Sequence, residues 1–77
     1  MAAQITEKEM KDKAVQYLKS HYSEDTVRMD VLKNSVVDGS GEMHVDITVR
    51  VAGRQSDWEK WFTFQNGEVT RMRWQMK

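Results

Sequence analysis

The sequence predicts an α+β domain: one N-terminal helix packed on a four-stranded antiparallel meander, in the order α-β-β-β-β. Three observations carry that reading. Thr6-Glu7-Lys8-Glu9 is a helix-start signal at the head of an amphipathic stretch. The run from Glu42 to Ala52 alternates apolar and polar residues without a break. Two aromatic-rich runs flank Asn66-Gly67, the dipeptide that most favours a tight hairpin.

The helix is specified at its start. Thr6 is placed as N-cap and Glu9 at the third helical position, so that each side chain can reach the other's backbone N–H. Ile5 and Met10 stand at the positions of a hydrophobic staple. Met10, Ala14, Tyr17, Leu18 and His21 then share one helical face. Glu7–Lys11 and Glu9–Lys13 have the favourable order for ion pairs, each contributing about 0.2–0.5 kcal/mol. The helix is expected from about Glu7 to Tyr22, followed by a polar break at Ser23-Glu24-Asp25.

A first strand is expected from Thr26 to Val37. Val27, Met29 and Val31 face one way, but Leu32 and Val36 fall on the opposite parity, so a β-bulge near Lys33–Ser35 is needed to restore the register. Asp38-Gly39-Ser40-Gly41 reads as a turn. The second strand, Glu42 to Ala52, puts Met43, Val45, Ile47, Val49 and Val51 on one face, and Glu42, His44, Asp46, Thr48 and Arg50 on the other. Gly53 to Asp57 reads as a loop, and Trp58–Gln65 and Glu68–Met76 as the last two strands.

The final hairpin admits two registers. A two-residue turn at Asn66-Gly67 pairs Phe64 with Val69 and brings Arg71 and Arg73 onto the Phe face. A three-residue loop, Gln65-Asn66-Gly67, with a bulge at Gly67, instead puts Phe62, Phe64, Met72, Trp74 and Met76 on one face. Trp61, Thr63, Val69, Arg71 and Arg73 then take the other. A one-residue slip flips every side chain, and the bulged loop separates apolar from charged residues better, so it is the favoured reading.

With 77 residues the chain is expected to form a single domain, of a size that buries only about 60% of its unfolded surface. It has no Cys, and its two His leave little scope for a structural zinc, so no metal or other cofactor is expected. Lys plus Arg balances Asp plus Glu at 12 each, which argues against nucleic acid and anionic membrane as partners. Residues 54–77 carry Arg54, Lys60, Arg71, Arg73 and Lys77 against Asp57, Glu59 and Glu68, a weak excess of +2. No apolar run approaches the roughly 20 residues of a membrane helix, and the N-terminal stretch lacks the basic and apolar regions of a signal peptide. A cytoplasmic protein is the expectation.

One helix, about 10 Å across, is narrower than four strands spaced about 4.8 Å apart. Against it stand Val27, Met29 and Val31, the apolar residues of the second strand, and Phe62, Phe64, Met72, Trp74 and Met76. Either the sheet curls round the helix or an apolar face stays open as a self-association or partner site. Met72, Trp74 and Met76 are the candidates at such an open face.

The helix at 6–22 and the segment Trp61-Phe62-Thr63-Phe64-Gln65-Asn66-Gly67-Glu68-Val69 resemble the cystatin-like α+β roll, a class that includes PepSY domains and shortened NTF2-like domains. The resemblance implies one helix followed by an antiparallel meander. It does not imply an activity, because the class includes enzymes, inhibitors and interaction modules. Val49-Arg50-Val51-Ala52-Gly53 departs from the Gln-x-Val-x-Gly hairpin of inhibitory cystatins, since Val49 stands where Gln belongs. The chain also has no Pro, so protease inhibition is not expected.

Glu42, His44 and Asp46 share one strand face at a spacing of about 7 Å, a set that could approach a divalent ion, but this is the wet face, where polar residues are expected, and a solvated face is the favoured reading. His21, at the helix end, suits the helix dipole. No Ser-His-Asp set and no phosphate-binding Gly loop is present, so no catalytic residue is assigned and no enzyme is expected. Outside the sheet, Trp61 with Arg71 and Arg73 is the candidate binding cluster: an aromatic ring between cations can stack a base, or can form a cation–π pair that protects the outer face. The expectation is a non-enzymatic protein-interaction domain with a protein partner or a second copy of itself, its contact residues being Trp61, Arg71 and Arg73 on the outer face and Met72, Trp74 and Met76 at the face that stays open. The alternatives are single-stranded nucleic acid bound through Trp61, Arg71 and Arg73, and a small apolar ligand held between helix and sheet.

Overall fold

The computed structural model describes residues 5–77. It contains a helix, α1 (Glu7–Tyr22), followed by strands β1 (Asp25–Asn34), β2 (Gly41–Val51), β3 (Arg54–Gln65) and β4 (Glu68–Met76). The strands form one antiparallel sheet in the order β1-β2-β3-β4, the α-β-β-β-β arrangement expected. No helix among the described residues is long and apolar enough to cross a membrane.

The capping box forms in full: Thr6 Oγ1 accepts from the Glu9 N–H, and the Glu9 carboxylate accepts from the Thr6 N–H. That role occupies Glu9, and Lys13 reaches across to Glu68 Oε1 at 2.7 Å, tying the helix to the start of β4. The i,i+4 ion pair on the helix is Lys8–Asp12. Ser23 closes the helix in the left-handed conformation, its N–H donating to the Leu18 and Lys19 carbonyls.

Met10, Ala14 and Leu18 bury the helix against Met29, Met43, Val45, Ile47, Val49, Phe62, Phe64 and Met72. Tyr17 meets Phe62 edge-on, with ring centroids 6.5 Å apart. The loop after β1 seals this end of the core. Ser35 N–H donates to the Glu42 carbonyl, Gly67 N–H donates to the Gly39 carbonyl, and Val36 packs on the core. Gly41 is required there: its φ is +140°, and a Cβ would stand 2.4 Å from the Ser35 carbonyl oxygen.

Four expectations are corrected. First, β1 ends at Asn34 and not at Val37, and its register shifts at two places, Thr26/Arg28 and Val31/Lys33. Val27 and Leu32 are the extra residues, so both turn outwards and Val27 leaves the inner face. Second, Gly53 to Asp57 is not a loop. Ala52 and Gly53, at φ 51° and 80°, make a two-residue turn, and β3 starts at Arg54. Third, the last hairpin has the two-residue turn, with Gln65 opposite Glu68 and Phe64 opposite Val69. The bulge lies in the strand instead, between Thr63 and Phe64 on β3, where Thr70 is the extra residue on β4. Beyond it the faces fall as the bulged reading requires, with Phe62 opposite Met72 and Trp61 opposite Arg73. Fourth, Val69 sits on the Phe64 side, packed on the core and not outside.

Candidate interaction site

The last hairpin brings the six sequence candidates onto two faces. On the outer face, His44, Trp61 and Arg73 form one cross-strand row over β2, β3 and β4. The His44 ring stacks on Trp61 at 4.4 Å with 9° between the planes, and the Arg73 guanidinium lies 5.1 Å from the Trp61 ring centre. Arg73 also holds Glu42 at 3.0 Å. The Trp61 ring is thus flanked by one neighbour on each adjoining strand. Arg71, opposite Thr63, is exposed.

The same face carries a charge network centred on Asp46. Lys77 reaches Asp46 at 2.8 Å and Arg28 at 3.2 Å, while Arg28 also pairs with Asp30. Lys77 first, then Arg28, hold the Asp46 carboxyl below the usual carboxylate range, and Asp46 in turn raises the Lys77 ammonium and the Arg28 guanidinium. Glu42 and Asp46 are thus held by cations, and the His44 imidazole by Trp61, with Glu59 3.8 Å away. Among the described residues no three metal-ligating side chains converge.

The inner face divides. Met72 is buried in the core, whereas Trp74 and Met76, farther along β4, are 54% and 62% exposed. Tyr22, at the end of the helix, meets Trp74 edge-on with ring centroids 6.3 Å apart. Trp58, opposite Met76, is half-buried and donates its indole N–H to Ser56 Oγ at 2.8 Å. Trp74 and Met76 are therefore an apolar patch which the helix, ending at Tyr22, leaves uncovered.

Beneath that patch lies a residue absent from the sequence candidates. Lys60 is opposite Trp74 on the inner face and only 2% exposed. Its Nζ lies 3.3 Å from Glu24 Oε1 and 5.0 Å from the centre of the Trp58 ring. Burial pushes the Lys60 ammonium below the ordinary lysine range, and Glu24 partly offsets that. The period-2 series Trp58, Lys60, Phe62, Phe64 was the signal that would have found it. Its charge and its place between Glu59 and Trp61 concealed it.

No protein-family model matches the chain, and no curated protein and no solved structure matches it either.

Proposed function

We propose that this chain is a non-catalytic protein-interaction module whose contact surface is the uncovered end of the inner sheet face, with a second copy of the chain as its occupant. One observation supports the reading above others: Trp74 and Met76 stand exposed side by side with Tyr22, at the edge strand of the sheet, beyond the reach of the only helix among the described residues. Exposed apolar clusters of this kind mark association surfaces, and Trp and Met are among the residues enriched there. The edge itself favours the same face. β1 carries two bulges, which disrupt strand addition, whereas β4 is regular from Arg71 to Met76 and its outer backbone edge is unpaired among the described residues.

Light scattering after size exclusion, over a range of protein concentrations, tests this reading. The expected result is a mass that rises from monomer to dimer with concentration, and a Trp74→Glu variant that stays monomeric while keeping the wild-type circular dichroism spectrum. A strict monomer at every concentration, or a dimer that Trp74→Glu leaves intact, contradicts it.

A further inference from the structure

The uncovered end also contains a cavity of about 220 Å³, walled by Tyr22, Trp58, Met72 and Trp74, with Lys60 and Glu24 as its polar groups. We propose that this cavity binds a small apolar monocarboxylic acid, whose carboxylate takes the place of Glu24 against the Lys60 ammonium. The inference does not rest on self-association.

The Lys60–Glu24 pair already there fits poorly. An ammonium has three N–H donors, and Lys60 faces one carboxylate oxygen at 3.3 Å and the face of Trp58. Glu24 Oε1 is itself buried without a well-formed hydrogen bond. A buried ion pair offsets its desolvation only when geometry is good and the remaining donors are met. The pair is therefore a weak competitor for an acceptor that approaches Lys60 from the cavity.

The walls select the rest of the ligand. Two indoles, a phenol ring and a thioether suit an apolar body. A cation is disfavoured, because Lys60 already occupies the position over Trp58 that a ligand cation would take. A purely apolar molecule leaves the ammonium donors unmet. A carboxylate satisfies them with charge-assisted hydrogen bonds. The volume lies below the roughly 300–1,000 Å³ of sites for drug-sized ligands, so a short chain or single ring fits best. Glu24 belongs to the two-residue link between α1 and β1, from which its side chain can turn to solvent when displaced.

The test uses three probes with the same eight-carbon chain: octanoate, octanol and octyltrimethylammonium, each below its micelle concentration, with Trp58 and Trp74 as fluorescent reporters. Octanoate is expected to bind about tenfold tighter than octanol, the worth of a charge-assisted contact, and the cation to bind weakest. The titrations are run at a protein concentration at which light scattering shows only monomer, which separates binding from self-association. Lys60→Met should bind octanoate no better than octanol. Glu24→Gln should bind octanoate several-fold tighter than the wild type, because the competing carboxylate is gone, and Lys60→Met serves as the decisive variant if Glu24→Gln fails to fold. Equal binding of octanoate and octanol, tighter binding of the cation, no binding of any probe, or unchanged octanoate affinity in Glu24→Gln overturns the proposal.

Discussion

Where Met43, Phe62 and Phe64 meet the helix, each of these side chains is buried and the loop after β1 closes over them. At the other end of the same sheet face, Trp58, Lys60, Met72 and Trp74 line a cavity, a charge lies under aromatic rings, and two large apolar side chains, Trp74 and Met76, face solvent. On β3 both ends belong to one period-2 series, Trp58, Lys60, Phe62 and Phe64, so local sequence preference does not account for the difference. Helix length does. The sixteen-residue α1 is about 24 Å long, whereas the molecule extends 42 Å along its longest axis. The described chain completes one end as a core and leaves the other as a surface.

The contrast can be broken most sharply by removing apolar side chains from each end. Phe62→Ala should destabilise the domain by about 3–5 kcal/mol, because it removes a ring from a closed core. Met76→Ala should stay within about 0.5 kcal/mol, as surface changes do. Urea titration of both variants, at concentrations where the protein is monomeric, measures the two values. Similar losses at both sites would mean that the ends are equally packed.

The buried pair comes next. Glu24→Gln removes the partner of a buried ammonium and should cost about 3 kcal/mol, whereas Lys60→Met removes the charge with its desolvation penalty and should leave stability unchanged or raise it. The pH dependence has a defined sign. The folded pKa of Lys60 lies below its unfolded value of 10.5, so the folded state binds fewer protons between the two values. Stability contributed through this group therefore rises with pH across the window that ends at 10.5, and Lys60→Met should flatten that rise. Denaturation curves between pH 7 and 10.5 compare the two proteins. An identical slope would show that Lys60 is not held in a desolvated state.

Smaller effects sharpen the comparison at the turns. Asn66-Gly67 and Ala52-Gly53 both adopt positive φ at both residues. Asn tolerates that conformation, and Ala is strained in it. Ala52→Asn should stabilise the domain by about 0.5–1 kcal/mol, read as a rise in melting temperature; a fall would mean that the Ala52 backbone is not strained.

The helix, its cap, the strand order and the hairpin at Asn66-Gly67 were legible in the sequence because each rests on local chemistry: a Thr–Glu pair, an alternation, a dipeptide that accepts positive φ. The placement of bulges was legible only in part. The parity slip at Leu32 marked one bulge, which the fold places between Val31 and Lys33, a residue or two before Lys33–Ser35; Val27 and Thr70 are extra residues chosen by how the whole sheet matches its neighbours, and no local signal marks them. The Ala52-Gly53 turn was hidden because Ala is a poor residue for its conformation. At the candidate site, Met72, Trp74 and Met76 were the candidates should the sheet not curl shut round the helix; Trp74 and Met76 are exposed, and Met72 is buried, one pair nearer the helix-covered core. Lys60 and Glu24 were illegible for different reasons. Lys60 lies on the inner parity but carries a charge, and Glu24 lies in what reads as a polar break, so only the folded chain brings them together.

The most direct test of the two-ended account is a dilution series followed by methionine-methyl NMR. The account predicts that the Met76 methyl signal moves with protein concentration while those of Met10 and Met43, in the closed core, stay fixed. Concentration-independent signals throughout, or shifts of the Met10 and Met43 signals with that of Met76 fixed, would contradict it.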